Sequence, residues 1–416
     1  MSSRTNWRSQ RIKYLYRVVD NRAGNRRPPL LSVSIHHGVV RRDSMTGDEP
    51  RADDLSTYKI CARGDIVLNR MRAFQGAIGI SLQSGLVSPD YLVLRPSPLV
   101  EARFLHHLFR STWFIGEMIS RLRGIGSTSQ GNVRTPRINP EGLGDIEVDL
   151  PPLDEQCRIA DFLDVEISRI TRLEDARRRQ VSLLRERLAS RWSEQVTGLG
   201  SAYGWTALRR FIVSITDGPF GSGLTSDHYS SDGARVIRLG NIGQALFRNA
   251  DKAYIPVAYA RQLRHHEVRS GDLLIAGLGD ENFPLGRACV APEGIGPAIV
   301  KADCFRVRLD QRRVTHAYAA WVLSSPPVTD QVMLLARGAT RARINLNVAR
   351  EIAIPVPPLR DQSATCGALT HIRNEVGLIE QGCVRQLDLL AERRRALITA
   401  AVTGQMDVTT ARRVSA

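Results

Sequence analysis

This chain lacks the features that would tie it to a membrane, a metal or a redox reaction. Nowhere do 18 apolar residues run together, so no membrane-spanning helix is expected. The opening Met1-Ser2-Ser3-Arg4-Thr5-Asn6-Trp7-Arg8 has no apolar stretch of signal-peptide length. Its six cysteines (Cys61, Cys157, Cys289, Cys304, Cys366, Cys383) form no CxxC pair, and read as reduced thiols of a cytoplasmic protein. The pairs His36-His37, His106-His107 and His265-His266 have no partners at metal-ligand spacing. Lysine is scarce (Lys13, Lys59, Lys252, Lys301), and none stands behind an acidic pair as a metal-dependent nuclease needs. Without a GxxxxGK[ST] loop, ATP hydrolysis is not expected. Neither a [DNS]PP[YF] motif nor a Gly-rich S-adenosylmethionine loop occurs. Asp217-Gly218-Pro219-Phe220 comes near the former, but glycine replaces the first proline, and it reads as a turn after the strand-like Phe211-Ile212-Val213. The expectation is a chain with no catalytic residues, no metal and no cofactor.

What the chain does have is itself, twice. Pro151-Pro152-Leu153-x-x-Gln156 returns as Pro357-Pro358-Leu359-x-x-Gln362, and the likeness runs without a gap to Val196-Thr197-Gly198 and Val402-Thr403-Gly404. Between 151 and 198 the copies share 15 of 48 positions, where ordinary residue usage gives roughly three by chance. Fainter echoes precede it: Gly64-Asp65-Ile66-Val67 with Gly271-Asp272-Leu273-Leu274, and Arg137-Ile138-Asn139 with Arg343-Ile344-Asn345. Such a long period means two tandem units. Each is a globular head followed by a long helix, with the helices alike and the heads divergent.

The charge follows the same division. Residues 1–153 carry 22 basic against 14 acidic side chains, and residues 199–358 carry 19 against 13. The helical segments 154–198 and 359–407 balance at nine against nine and six against six. The excess of +16 therefore sits on the heads, apart from Arg412 and Arg413 in the basic tail 408–416. A basic globule attracts a polyanion, most commonly nucleic acid.

Each Pro-Pro-Leu ends a β-like run, at 145–150 and 352–356, and opens a helix with acids in its first turn. Apolar residues then recur at three- and four-residue spacing: Ile159, Leu163, Ile167, Ile170, Leu173, Leu184 and Leu188 in one copy. The other has Leu369, Ile372, Val376, Ile379, Cys383, Leu387 and Leu390. Gly198 and Gly404 are the expected C-terminal caps. Helices of roughly 45 residues, ~65 Å long, with one narrow stripe each call for a helical partner, and antiparallel pairing is expected.

These blocks resemble a known family. PPLDEQxRIAxFLD (151–164), PPLRDQ (357–362), GDIVLNRMRAFQGAIG (64–79) and LLxERRxALITAAVTGQMD (389–407) are similar to the specificity subunit of type I restriction–modification systems, over nearly the whole chain. Gly218-Pro219-Phe220-Gly221-Ser222 and Val236-Ile237-Arg238-Leu239-Gly240-Asn241-Ile242 look like that family's second target-recognition domain. One departure is Leu188-Ala189-Ser190-Arg191-Trp192, where the family pattern has RRALI.

The resemblance implies an α/β fold: two target-recognition domains of mixed sheet and helices (1–153 and 200–358), joined by two long antiparallel coiled-coil helices (154–199 and 359–407) in a pseudo-two-fold repeat. It implies a bipartite double-stranded DNA site, with two modification (methyltransferase) subunits and restriction (ATP-dependent translocase/nuclease) subunits as partners. Methylation and cleavage would reside in those partners. Docking and spacing would fall to the helices, with Leu163, Ile170, Leu184, Leu369, Val376 and Leu390 as candidates.

Base edges in the major groove are read by Arg, Asn, Gln, Ser and Thr side chains. Polar, cationic loops recur at matching places in both heads. The first head offers Arg70, Arg72 and Gln75, then Ser127, Thr128, Gln130, Asn132 and Arg134. The second offers Asn282 and Arg287, then Arg337, Thr340, Arg341 and Arg343. Two other readings stay open: a single-chain DNA methyltransferase or nuclease with attached recognition domains, and a basic scaffold for RNA or protein.

Overall fold

The computed structural model describes residues 6–35, 38–44, 54–122, 137–279, 283–336 and 342–408. It divides into two compact units, Met1–Arg177 with Val384–Ala416, and Arg178–Cys383. The boundary falls inside both long helices, so each unit holds one head with the adjoining stretch of each helix.

In the first unit an antiparallel sheet runs in the order Tyr16–Val19, Tyr91–Pro96, Ile66–Asn69, Ile78–Ile80. Ile66, Val67 and Leu68 are all fully buried, as an unbroken apolar run in a short strand requires. Alternation sends them to different cores. Ile66 and Leu68 join Leu92 and Leu94 beneath Phe104, Phe109 and Phe114 of the helices Ala102–Arg110 and Thr112–Ser120. Val67 and Val93 face the other way, into a core shared with Leu31, Val33, Cys61 and Val87. Two small antiparallel pairs supply that second layer, Leu31–Ser34 with Gly38–Arg41 and Lys59–Cys61 with Gly85–Val87.

The second unit repeats the first layer and changes the second. Its sheet has the same order, Ile212–Thr216, Cys304–Leu309, Leu273–Ala276, Ala288–Val290, and is again antiparallel. Leu273 and Ile275 pack against the helices His316–Leu323 and Pro326–Leu335. Leu274 and Ala276 face a four-stranded mixed sheet ordered Tyr254–Ile255, Ala234–Ile237, Ala298–Val300, Glu267–Val268. The expected strand-like runs before each Pro-Pro-Leu are present as Glu147–Leu150 and Ala353–Pro355. Each pairs with the opening strand of its own head, Arg8–Arg11 or Trp205–Ala207.

The residues that repeat in sequence are those that tie head to helix. Gly64 and Gly271 turn at φ +90° and +84°, a backbone open chiefly to glycine, with nothing within 4 Å of either site. The buried Asp65 then accepts from its own turn at Ala62 N–H (2.8 Å) and from Arg95 through two bonds of 2.7 and 2.9 Å. Asp272 does the same with Arg269 N–H (2.8 Å) and Arg308 (2.7 and 2.9 Å). Gln156, buried at the start of the first long helix, accepts from Glu101 N–H (2.8 Å) and donates to the carbonyls of Leu99 and Pro151. Gln362 repeats this: it accepts from Thr315 N–H (3.0 Å) and donates to the carbonyls of Arg313 (2.7 Å) and Pro357 (2.9 Å).

The long helices are Leu153–Tyr203, 51 residues, and Leu359–Val402, 44 residues. At 1.5 Å per residue they measure about 76 and about 66 Å. Gly404 caps the second helix at φ +67°, as expected, whereas the first continues through Gly198 to stop before Gly204 at φ +71°. The extra turn exists because Leu199 packs against the second head's core and Gly200 leaves room for the Trp205 ring.

Within each unit the helices run antiparallel and cross-link by charge. Arg394 donates to Glu174 at 2.9 Å in the first unit, and Arg185 to Glu380 at 2.8 Å in the second. Glu174 and Glu380 are equivalent in the repeat. Leu163, Ile170, Leu369 and Val376 are buried and Leu184 and Leu390 half-buried. Leu163 packs in the first head's core and Leu369 in the second's, and with Ile170 and Val376 they are enclosed by this chain's own residues, whereas Leu184 and Leu390 keep part of their surface open. Two members of the expected stripe, Leu173 and Ile379, are exposed instead. The neighbouring glutamates take their places at the seam edge.

Candidate nucleic-acid interface

In each head the chain brings together two segments that are far apart in sequence. In the first unit the backbone after strand Ile66–Asn69 meets the segment before helix Pro140–Gly144. Ile138 N–H donates to the Arg70 carbonyl at 3.2 Å, and Arg70 Nε returns a bond to the Ile138 carbonyl at 3.2 Å. In the second unit Ile344 N–H donates to the Gly277 carbonyl (2.9 Å) and Gly279 N–H to the Ala342 carbonyl (3.2 Å). One backbone bond is common to both heads, Ile138 N–H to the Arg70 carbonyl and Ile344 N–H to the Gly277 carbonyl, so in each the end of the matching strand meets the segment before the matching short helix.

The candidates on that surface have different fates. Arg72 and Gln75 are exposed, presented by the short 3-10 turn Ala73–Gln75, which Gly76 closes at φ +95°. Arg70 is half-buried and spends its guanidinium on Ile138 and Asn139, fastening the two segments together. Arg287 departs from the expectation of an exposed reader. It is buried, donating to the carbonyls of Ile242 (2.7 Å), Leu239 (2.9 Å), Leu278 (3.1 Å) and Pro284 (3.1 Å). Those carbonyl dipoles replace water around the buried guanidinium, which ties Leu239 and Ile242 to Leu278 and Pro284. Ser127, Thr128, Gln130, Asn132, Arg134, Asn282, Arg337, Thr340 and Arg341 lie outside the described residues.

Arg343 remains at the surface, its side chain 50% exposed, with Nε donating to Asp303 Oδ1 at 2.6 Å. Its guanidinium lies 5.5 Å from the centre of the Phe220 ring. Asp217 is adjacent. Burial first, then the neighbouring Asp303 carboxylate, lifts its carboxyl to about 6, while the Gly218 N–H at 2.7 Å and Arg343 work against the rise. Asp303 and Phe220 were not among the sequence candidates. The signal for Asp303 is its match to Asp90, visible only once Arg95 and Arg308 are seen to be equivalent; both aspartates lie five residues before those arginines.

Among the described residues no group of three His, Cys, Asp or Glu side chains is arranged to hold a metal ion, and no helix is long and apolar enough to cross a membrane. On the outside of the paired helices, Leu173 and Ile379 form one equivalent exposed apolar pair. Leu183 and Leu389, each 57% exposed, form another.

No protein-family model and no curated protein matches the chain. Solved structures do. A chain from a structure on complex assembly and conformational transition of the type I restriction–modification system is 16% identical, with a TM-score of 0.70, covering 97% of this chain and 99% of that one. The HsdS subunit from Thermoanaerobacter tengcongensis is 18% identical with a TM-score of 0.49, covering 97% and 98%. The type I restriction–modification S subunit from M. genitalium is 13% identical with a TM-score of 0.37, covering 97% of each chain. The first likeness establishes architecture: from end to end, this chain has the fold of that chain of a type I restriction–modification system.

Proposed function

We propose that this chain is the DNA sequence-specificity subunit of a type I restriction–modification complex, a non-catalytic cytoplasmic protein. Each head, 1–153 and 200–358, reads one half of a bipartite duplex site. The helices, 154–199 and 359–407, set the gap and dock two modification subunits, with restriction subunits joining the assembly. The observation that carries this reading is the duplicated junction: in two divergent basic heads, the end of the matching strand meets the segment before the matching short helix through the same backbone bond. A pair of reading sites on charge-balanced rods suits two half-sites on one duplex. The exposed pairs Leu173/Ile379 and Leu183/Leu389 repeat with the pseudo-symmetry, as two copies of one partner would require.

The test is methylation mapping in cells expressing the chain with methyltransferase subunits. Exchanging residues 1–150 for those of a relative should change one half-site alone. The helices pair antiparallel, so a spacer insertion must enter both, after Arg179 and after Arg385. Seven residues in each preserve the seam and add ~10 Å, about three base pairs of rise. Both half-sites should persist with a wider gap. Methyl transfer by the chain alone would instead favour the single-chain methyltransferase.

A further inference from the structure

Three contacts hold Arg343 in place before any ligand arrives. Nε is tied to Asp303, the guanidinium lies over the Phe220 ring at 5.5 Å from its centre, and the backbone bridges to Leu278. Neither Nη group has a partner among the described residues. Both supports are themselves fixed. Asp303 stands at φ +65°, in the left-handed region that aspartate enters more readily than most side-chain-bearing residues, and its carbonyl is held there by Gly277 N–H at 2.8 Å. Phe220 is 52% exposed in a loop pinned at Gly218, where a Cβ would lie 2.0 Å from the Lys301 carbonyl carbon.

A free arginine loses much of its rotamer freedom when it grips a ligand; here that ordering is already done. With Nε occupied, the directional donors left are the two Nη groups, a fork matched to two acceptors side by side. Guanine O6 and N7 in the major groove present such a pair, and so does a phosphate. The Asp303 carboxylate decides between them. It offsets the charge on which phosphate attraction depends and leaves the directionality of the fork intact.

Building on the DNA-reading function above, we propose that Arg343 reads a guanine in the half-site of the second head, with Asp303 and Phe220 as positioning residues. The test uses the full-length chain. Preferred duplexes are selected from a randomised library, and affinities are then measured on the preferred duplex and on a scrambled one. The wild type should select two half-sites. Arg343→Lys, which keeps the charge but not the fork, should lose the preference for one G·C pair in one half-site. Its affinity for the preferred duplex should fall roughly 5- to 150-fold, with the scrambled duplex nearly unaffected. Asp303→Asn and Phe220→Ala should keep the same preferred base with weaker discrimination. Equal losses on both duplexes would make Arg343 a phosphate contact, and an unchanged motif in Arg343→Lys would remove it from readout; either overturns the assignment. A wild type without sequence preference is a different result, because it removes the DNA-reading function itself and this assignment with it.

Discussion

Replacing Gln362 with leucine tests the join between head and helix. The glutamine is fully buried, and its amide satisfies Thr315 N–H and the carbonyls of Arg313 and Pro357. Leucine of similar size leaves all three without a partner. A buried polar group stripped of its hydrogen bond costs about 1–3 kcal/mol. Arg313 is exposed, so water can reach its carbonyl, and two orphaned groups dominate. The expected loss is about 3 kcal/mol, which for a unit of this size lowers Tm by roughly 6–12 °C. Gln386→Leu, on the exposed face of the same helix, should shift Tm by no more than about 2 °C. Gln362→Glu refines the test. Its oxygen would face two carbonyls, so the folded state favours the protonated carboxyl and raises its pKa. The added deficit is present at neutral pH and shrinks as pH falls through that raised value. Calorimetry of the full chain at pH 5 and pH 7.5 reads both effects. A Gln362→Leu transition within 1 °C of wild type would refute the claim that this amide joins head and helix.

Three further outcomes follow from the same geometry. Arg308→Met strands the buried Asp272 carboxylate and should cost roughly 3 kcal/mol in denaturant unfolding, near the low end for a broken buried pair because Arg308 is 30% exposed; the double change Asp272→Leu with Arg308→Met should recover part of it. Gly200→Ala drives a Cβ to 2.4 Å from Trp205 Nε1 and should lower Tm, whereas Gly198→Ala, in open space on the same helix, should raise stability by about 0.5–1 kcal/mol. His316 accepts from Leu309 N–H at Nε2 (2.9 Å) and meets the Gly271 carbonyl at Nδ1 (2.6 Å); burial holds its pKa below the ordinary 6.5, against the opposing pull of the Gly271 bond. A lowered histidine pKa contributes stability that is present above the unfolded value and lost as pH falls through the folded one. Wild type should therefore lose Tm below pH 6.5 relative to His316→Leu, and parallel pH profiles would remove this role.

Local chemistry let the sequence alone determine the architecture. Gly64, Asp65, Gln156 and their partners Gly271, Asp272 and Gln362 recur because each is the residue type that its turn or joint demands, and such demands leave a mark at fixed spacing. The two-head, two-helix plan, the antiparallel seam and the placement of the basic charge were legible for that reason. Tertiary structure decided what depends on residues distant in the chain. Arg287 and Arg343 look alike as sequence, yet one is enclosed by five backbone carbonyls and the other stands on Asp303 and Phe220 with its fork outward. Leu173 and Glu174 exchange their expected faces because the angle at which the helices meet, and the arginine opposite, settle which neighbour turns inward. Periodicity fixes which residues share a stripe, but only packing decides where on that stripe the partner lies, since a helix can rotate by a fraction of a turn without changing its sequence.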